Sequence, residues 1–525
     1  MTGSTQMPKQ PPTALRDKLA QLIFVRIGSN MKPARTVEQD EHRITKLLEA
    51  CPIGGLLLFN GGPNTKESLE RLQEASQIPL LVASDIERGV GQQVKGCTLF
   101  PHAMAFEKLP RNTTLTVAEF AEASAREARD VGIHISFSPV ADVNTNPQNP
   151  IIATRAFSEN AYRAADLAAA YVNAAEAAGL RTTAKHFPGH GDTQQDSHDS
   201  LPSVPRSLEQ LEACELVPFR SAIDAGCSLV MTAHVAFPEI DPSGVPATLS
   251  PIILNDLLRK QLGFRGVVCS DSLLMAGVRD QFDTEEEMAL AVLNAGVDLL
   301  LDVNDPGRIV DFLCESVDCG KLSQQRVDDA FTRMWELKRR ALFDLNNALL
   351  RHAVPSSIDP MALAQRVAQG AIEIIGNAGR TDVLPLNPDV PLVVVLLKPF
   401  QTPIDPLEQP LAAALRQQFP AVKYLQLGPK ADVADYQAAV YVARDAQQLL
   451  VAMIIRPAAW YAFGLLPEQK EFVEWITKER AVVLASLGVP YALRDFPDAA
   501  MRICTYSDVP VSQHALADFL LAPQR

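Results

Sequence analysis

Hydrophobic and polar positions along this chain alternate in blocks. A short, continuous apolar run is followed by a longer stretch with apolar residues three and four apart, and then by another apolar run. The runs Gly55–Phe59, Leu80–Ser84, His134–Pro139, Thr182–Lys185, Leu229–Ala233, Val267–Asp271 and Leu299–Asp302 predict buried strands, with one more near Phe24. Between them, Leu115–Arg129, Ala161–Ala178, Leu208–Ala225 and Thr284–Ala295 carry helical periodicity. Strands that are apolar throughout and separated by helices belong to a parallel sheet covered on both faces. Eight such units predict a (β/α)8 TIM-like barrel.

The polar residues collect just behind the strands: Asp85 and Glu87, Asp142 and Asn144, Lys185 and His186, His234, Asp271 and Asp302. In a barrel all of these ends share one mouth, whereas an open doubly wound sheet gathers ligands at a single crevice. The barrel is expected over 15–350, behind a flexible polar N-terminus at 1–14, and closes with the helix Gln324–Leu342. RHAVPSSIDP contains the expected linker, 351–360. Further apolar runs at Ile372–Ile375, Leu392–Leu397, Val422–Leu427, Leu449–Ile455, Ala481–Leu487 and Met501–Tyr506 predict a smaller, mainly parallel α/β sandwich domain over 361–525.

Composition narrows the partners. A length of 525 residues suits two domains, and 47% hydrophobic residues suit well-packed ones. The formal charge of −14 argues against nucleic acid and anionic membranes as partners. No apolar run approaches the roughly 20 residues that span a bilayer. The N-terminal residues lack the apolar core of a signal peptide. The eight cysteines form no CxxC pair, and several lie inside apolar runs, as reduced buried thiols do. A cytoplasmic protein is the expectation.

The densest chemistry lies in AKHFPGHGDTQQDSHDSLP, Ala184–Pro202, where three histidines and three aspartates are interleaved with glycine and proline. Such a run is expected to be a loop, and a loop this rich in titratable groups is a candidate for function. Asp271 ends an otherwise apolar strand. It could be a helix cap or a buried hydrogen-bonded carboxylate, or a nucleophile that attacks an anomeric carbon. Asp196 and His198, two apart in an irregular loop, could orient and titrate as an acid/base pair near neutral pH, or could be a solvated loop. Lys185, His186 and Arg155 offer donors to sugar hydroxyls and Asp85 offers two acceptors, although strand-end cations are also ordinary salt-bridge partners. His190 and His234 could simply hold their own loops. A divalent metal on His186, His190, Asp192, Asp196 and His198 is a rival, but Pro188 and Gly189 preclude the helical presentation that an HxxxH zinc site uses.

The run KHFPGHGDTQQDSHDSLP closely resembles the signature loop of glycoside hydrolase family 3, in its β-N-acetylglucosaminidase branch. IGGLLLF, LVASDIERG, FSPVADVNTNPQNPIIATRAFS, VMTAHVAFPEID, GFRGVVCSDSLLM and NAGVDLLL match in order, and GAIEIIGN…VLPL and VVLASLGVPYAL resemble the family's C-terminal domain. The resemblance implies Asp271 as nucleophile, His198 with Asp196 as acid/base dyad, and Asp85, Arg155, Lys185 and His186 as binders of the terminal sugar. It implies a retaining enzyme that removes β-linked N-acetylglucosamine, including from anhydro-muramyl cell-wall fragments during peptidoglycan recycling, with no cofactor or metal. The chain departs from the family's D-x-E-G-G-x-V-x-R pattern at Arg88, in place of glycine, and at Gln93, in place of a sugar-contacting arginine. A phosphorylase on the same scaffold and a non-catalytic sugar-binding protein are the alternatives.

Overall fold

The computed structural model describes residues 11–342 and 358–522, apart from 198, 381, 382, 404, 460 and 462. Eight strands close into a barrel in sequence order: β1 (Ile23–Ile27), β2 (Gly55–Leu58), β3 (Leu81–Ser84), β4 (Ile135–Ser136), β5 (Arg181–Phe187), β6 (Leu229–Thr232), β7 (Val267–Ser272) and β8 (Leu299–Leu301). All neighbours are parallel, and β8 pairs back onto β1 through Ile23–Leu300 and Phe24–Leu301. Most of these strands are wholly buried because side chains fill the barrel on one face and helices cover the other. Leu56, Leu58, Leu81, Ala83, Val230, Val268 and Leu300 are among their fully buried residues.

Two expectations need correction. The run Ala184–Pro202, expected to be a loop, begins inside the fully buried strand β5, which extends the expected strand Thr182–Lys185 through His186 and Phe187. Pro188 starts the loop, and the glycines and histidines behind it do not reach back into the strand. The single helix expected over Leu208–Ala225 is two helices, Leu208–Ala213 and Leu216–Asp224, broken at Cys214 and Glu215.

The second sheet has six strands: β9 (Glu373–Gly376), β10 (Leu392–Leu397), β11 (Val422–Leu427), β12 (Gln448–Met453), β13 (Val483–Ser486) and β14 (Met501–Cys504). Their spatial order is β11-β10-β12-β13-β14-β9, parallel except for β9, which pairs antiparallel with β14. Helices Pro360–Gly370, Pro410–Gln418, Val433–Arg444, Pro467–Glu479 and Pro510–Leu521 accompany it. By packing, one compact unit comprises the chain up to Thr98 with Thr114–Asn146 and Ser158–Pro360. The other comprises Leu99–Thr113, Pro147–Phe157 and the chain from Met361. The expected linker, 351–360, lies mostly outside the described residues. Among the described residues, no helix is long and apolar enough to cross a membrane.

Candidate active site

The ends of β3 and β5 meet through Lys185. Its side chain is 2% exposed, and its Nζ lies 2.7 Å from both Asp85 Oδ1 and Glu87 Oε1. A lysine this deeply buried must be paired, and two carboxylates satisfy it while fixing the position of both. Asp85 keeps an exposed face, with its side chain 29% accessible.

Behind β4, Asp142 is fully buried and gathers the start of the histidine loop. It accepts from His186 Nδ1 at 2.7 Å, from the His186 backbone N–H at 3.2 Å, and from the His190 backbone N–H at 2.7 Å. Burial opposes its ionisation. The adjacent His186 and His190, with these hydrogen bonds, nevertheless hold its carboxyl below the ordinary carboxylate value. His190 then locks the loop to itself: Nδ1 lies 2.9 Å from Thr193 Oγ1 and Nε2 lies 2.9 Å from Ser197 Oγ. The two imidazoles meet edge to face, 5.8 Å between centroids. Both are therefore engaged by protein groups, and His190 is a loop-holding residue.

The rest of the loop is fastened at several points. Gly191 presses against the loop behind β4, where a Cβ would stand 1.7 Å from the Val143 carbonyl oxygen, so only glycine fits. Asn146 donates through its backbone to Gly191 O (3.3 Å) and through its amide to Thr193 O (3.2 Å). The Gly277 N–H donates to Ser197 O at 3.2 Å. That bond ties the loop to the short helix Ala276–Arg279, which follows Asp271 on the next strand but one. Asp196 is partly exposed, and its carbonyl accepts from the backbone N–H groups of Asp199 (3.1 Å) and Ser200 (3.3 Å). His198 lies outside the described residues.

Asp271, the last residue but one of β7, has a partly exposed carboxylate whose Oδ1 accepts from the Ser272 N–H at 2.7 Å. Ser272 is held from two sides. Its Oγ donates to Asp302 Oδ2 at 2.6 Å, and its carbonyl accepts from His234 Nε2 at 3.1 Å. Asp302, 1% exposed, is gripped by the Arg26 guanidinium, with Nε 3.0 Å from Oδ1 and Nη2 on Oδ2. Neither Arg26 nor Ser272 stood out in the sequence. The signal for Arg26 is a charged residue inside the apolar strand IFVRI.

Arg155 belongs to the segment Pro147–Phe157 of the second unit, where its Nη1 donates to Ile151 O at 2.8 Å. Gln93 is 7% exposed and accepts from the Asn30 amide at 3.1 Å. The backbone N–H of Arg88 donates to Gln92 Oε1 at 2.9 Å.

A closed parallel barrel with carboxylates, a buried lysine and histidines gathered behind its strands has the arrangement of a (β/α)8-barrel enzyme, a fold whose sites lie at the strand ends. Residues 14–337 match the family model described as Glycosyl hydrolase family 3 N terminal domain. Beta-hexosaminidase A of Pseudoalteromonas piscicida is 33% identical over 446 residues, covering 78% of this chain and 73% of that protein. A beta-hexosaminidase of Idiomarina loihiensis is 38% identical over 278 residues, 51% of this chain and 82% of that protein. The structure of a glycoside hydrolase family 3 beta-N-acetylglucosaminidase from Paenibacillus sp. str. FPU-7 superposes with a TM-score of 0.84 at 27% identity, covering 97% of each chain. This chain belongs to glycosyl hydrolase family 3, and it is a glycoside hydrolase.

Proposed function

We propose that the protein is a retaining, exo-acting β-N-acetylglucosaminidase with Asp271 as nucleophile and His198, charge-stabilised by Asp196, as general acid and base. Asp85, Lys185, His186 and Arg155 bind the terminal sugar. The observation that carries the reading is the partly open Asp271 carboxylate at the end of β7, with the loop bearing Asp196 and His198 bonded to the helix just behind it. In the first step the Asp271 carboxylate bonds to the anomeric carbon while the bond to the leaving oxygen breaks, and His198 gives that oxygen its proton. In the second step His198 takes a proton from water, whose oxygen displaces Asp271 and restores the β configuration.

The beta-hexosaminidase relatives and the beta-N-acetylglucosaminidase neighbour support N-acetylglucosamine as the sugar. The natural substrate in this reading is a peptidoglycan fragment that carries terminal β-linked N-acetylglucosamine, including one with an anhydro-muramyl residue, cleaved in the cytoplasm. The test is release of p-nitrophenol from its β-N-acetylglucosaminide in phosphate-free buffer with chelator. Wild type is expected to turn over and Asp271→Ala to lose at least roughly 10³-fold in kcat. No turnover by wild type, or full turnover by the variant, overturns the assignment.

A further inference from the structure

Beneath the histidine loop lies an ion pair that the reaction as described does not use. Arg206 Nε lies 2.9 Å from Asp192 Oδ2, and Arg206 Nη1 lies 3.2 Å from Glu215 Oε1. Asp192 belongs to the loop and also accepts from Thr145 Oγ1 at 3.2 Å. Glu215 is 1% exposed, and among the described residues neither carboxylate oxygen has a hydrogen-bond partner. It stands at the break between the helices Leu208–Ala213 and Leu216–Asp224. That break puts it directly under the start of the loop: a Cβ on Gly189 would lie 2.8 Å from both Glu215 Cβ and Cγ.

Arg206 itself is rigidly mounted. Its N–H donates to Val204 O, Val204 N–H donates to Ala236 O behind β6, and Ser207 caps the next helix through a reciprocal pair with Gln210. A buried carboxylate paired to one guanidinium without further hydrogen bonds is a poor source of stability, because desolvation offsets the attraction. Burial accordingly pushes the Glu215 carboxyl above its usual value, with Arg206 opposing. In some proteins such a pair serves instead to select one conformation. Here the selected element is the loop on which Asp196 and His198 sit.

We propose that Arg206, acting through Asp192 and Glu215, is the positioning residue that fixes the histidine loop for proton transfer to the leaving group. The inference rests on His198 being the general acid. It separates from a merely structural role because proton donation matters only when the leaving group is poor.

The test compares kcat/KM, which reports the first step, on a 2,4-dinitrophenyl β-N-acetylglucosaminide and on N,N′-diacetylchitobiose. The variants are Arg206→Met, Arg206→Lys, Asp192→Asn and His198→Ala. Asp192→Asn removes the loop's half of the pair and leaves Arg206 with Glu215, which guards against misfolding of the arginine variants. Arg206→Met and Asp192→Asn are expected to lose roughly 10-fold to 100-fold on chitobiose and under about threefold on the dinitrophenyl glycoside, with Arg206→Lys partly rescued. Equal losses on both substrates, or none on either, overturn the proposal. If His198→Ala shows the leaving-group dependence and Arg206→Met and Asp192→Asn do not, the positioning role alone falls. If His198→Ala shows no such dependence, the acid/base reading falls and the positioning role with it.

Discussion

Two buried lysines illustrate how partners decide what a charge does. Lys185 lies between Asp85 and Glu87, each 2.7 Å from its Nζ, and serves the site by holding both carboxylates in place. Lys338 is 1% exposed and, among the described residues, donates only to the amide oxygen of Gln21; burial drives its pKa down from 10.5 to about 7. In the unfolded chain this lysine titrates near 10.4. Between these values the unfolded state binds more protons, so folding stability rises with pH across that interval. Below about pH 7 both states are charged and the full penalty of burying the ammonium is present. Lys338→Met is therefore expected to raise the melting temperature by several degrees at pH 6–7, with the gain fading towards pH 10. A gain independent of pH would show that the ammonium is not the cause. Sequence pattern reads such residues only in part. Lys338 falls on the stripe Val327, Phe331, Met334 and Ala341 of its helix, so its inward position was legible, whereas the Gln21 that meets it was not. Glu87 and Asp142 were legible as polar residues behind strands, but their pairing with Lys185 and with His186 and His190, 44 or more residues away, was not.

At the scale of elements, most barrel strands were legible as short apolar runs bounded by turn residues, whereas β5, RTTAKHF, is mostly polar and was legible only from its place in the alternation. The break at Cys214 and Glu215 was legible but was overridden by the helical spacing of the apolar positions: Pro218 has no N–H for the Cys214 carbonyl, and its ring clashes with that carbonyl, so one continuous helix cannot pass. The loop itself was legible from Pro188 onward. Its docking was not, since bonds such as Gly277 N–H to Ser197 O join segments whose approach only the closed barrel creates. Gly191 gives the sharpest test at this level. Its replacement by alanine sets a Cβ 1.7 Å from Val143 O, so the loop backbone must shift. Overpacking of this kind costs about 1–3 kcal/mol. Gly191→Ala is expected to lower the melting temperature by a few degrees and kcat/KM on chitobiose by at least roughly tenfold. Unchanged kinetics would mean that the loop's seating against the segment behind β4 does not govern catalysis.

For the whole molecule, alternating strands and helices made both α/β architectures readable, and the second sheet follows its six apolar runs closely. The interleaving of the two units was not readable. Leu99–Thr113 and Pro147–Phe157 lie within the barrel's stretch of sequence and pack with the second unit, and Arg155 goes with them. Local periodicity reports what an element is and carries no information about which body it packs on. In the proposed reaction, what the chain as a whole accomplishes turns on one covalent bond, from Asp271 to the anomeric carbon. The most direct test uses a 5-fluoro-N-acetylglucosaminyl fluoride, whose electron-withdrawing fluorine slows breakdown of the intermediate so that it accumulates. Digestion and mass spectrometry should find one glycosyl adduct, on the peptide GVVCSDSLLM at Asp271, and none in Asp271→Ala. An adduct on another residue, or none from an enzyme that still hydrolyses N-acetylglucosaminides, would contradict the assignment of Asp271 as nucleophile.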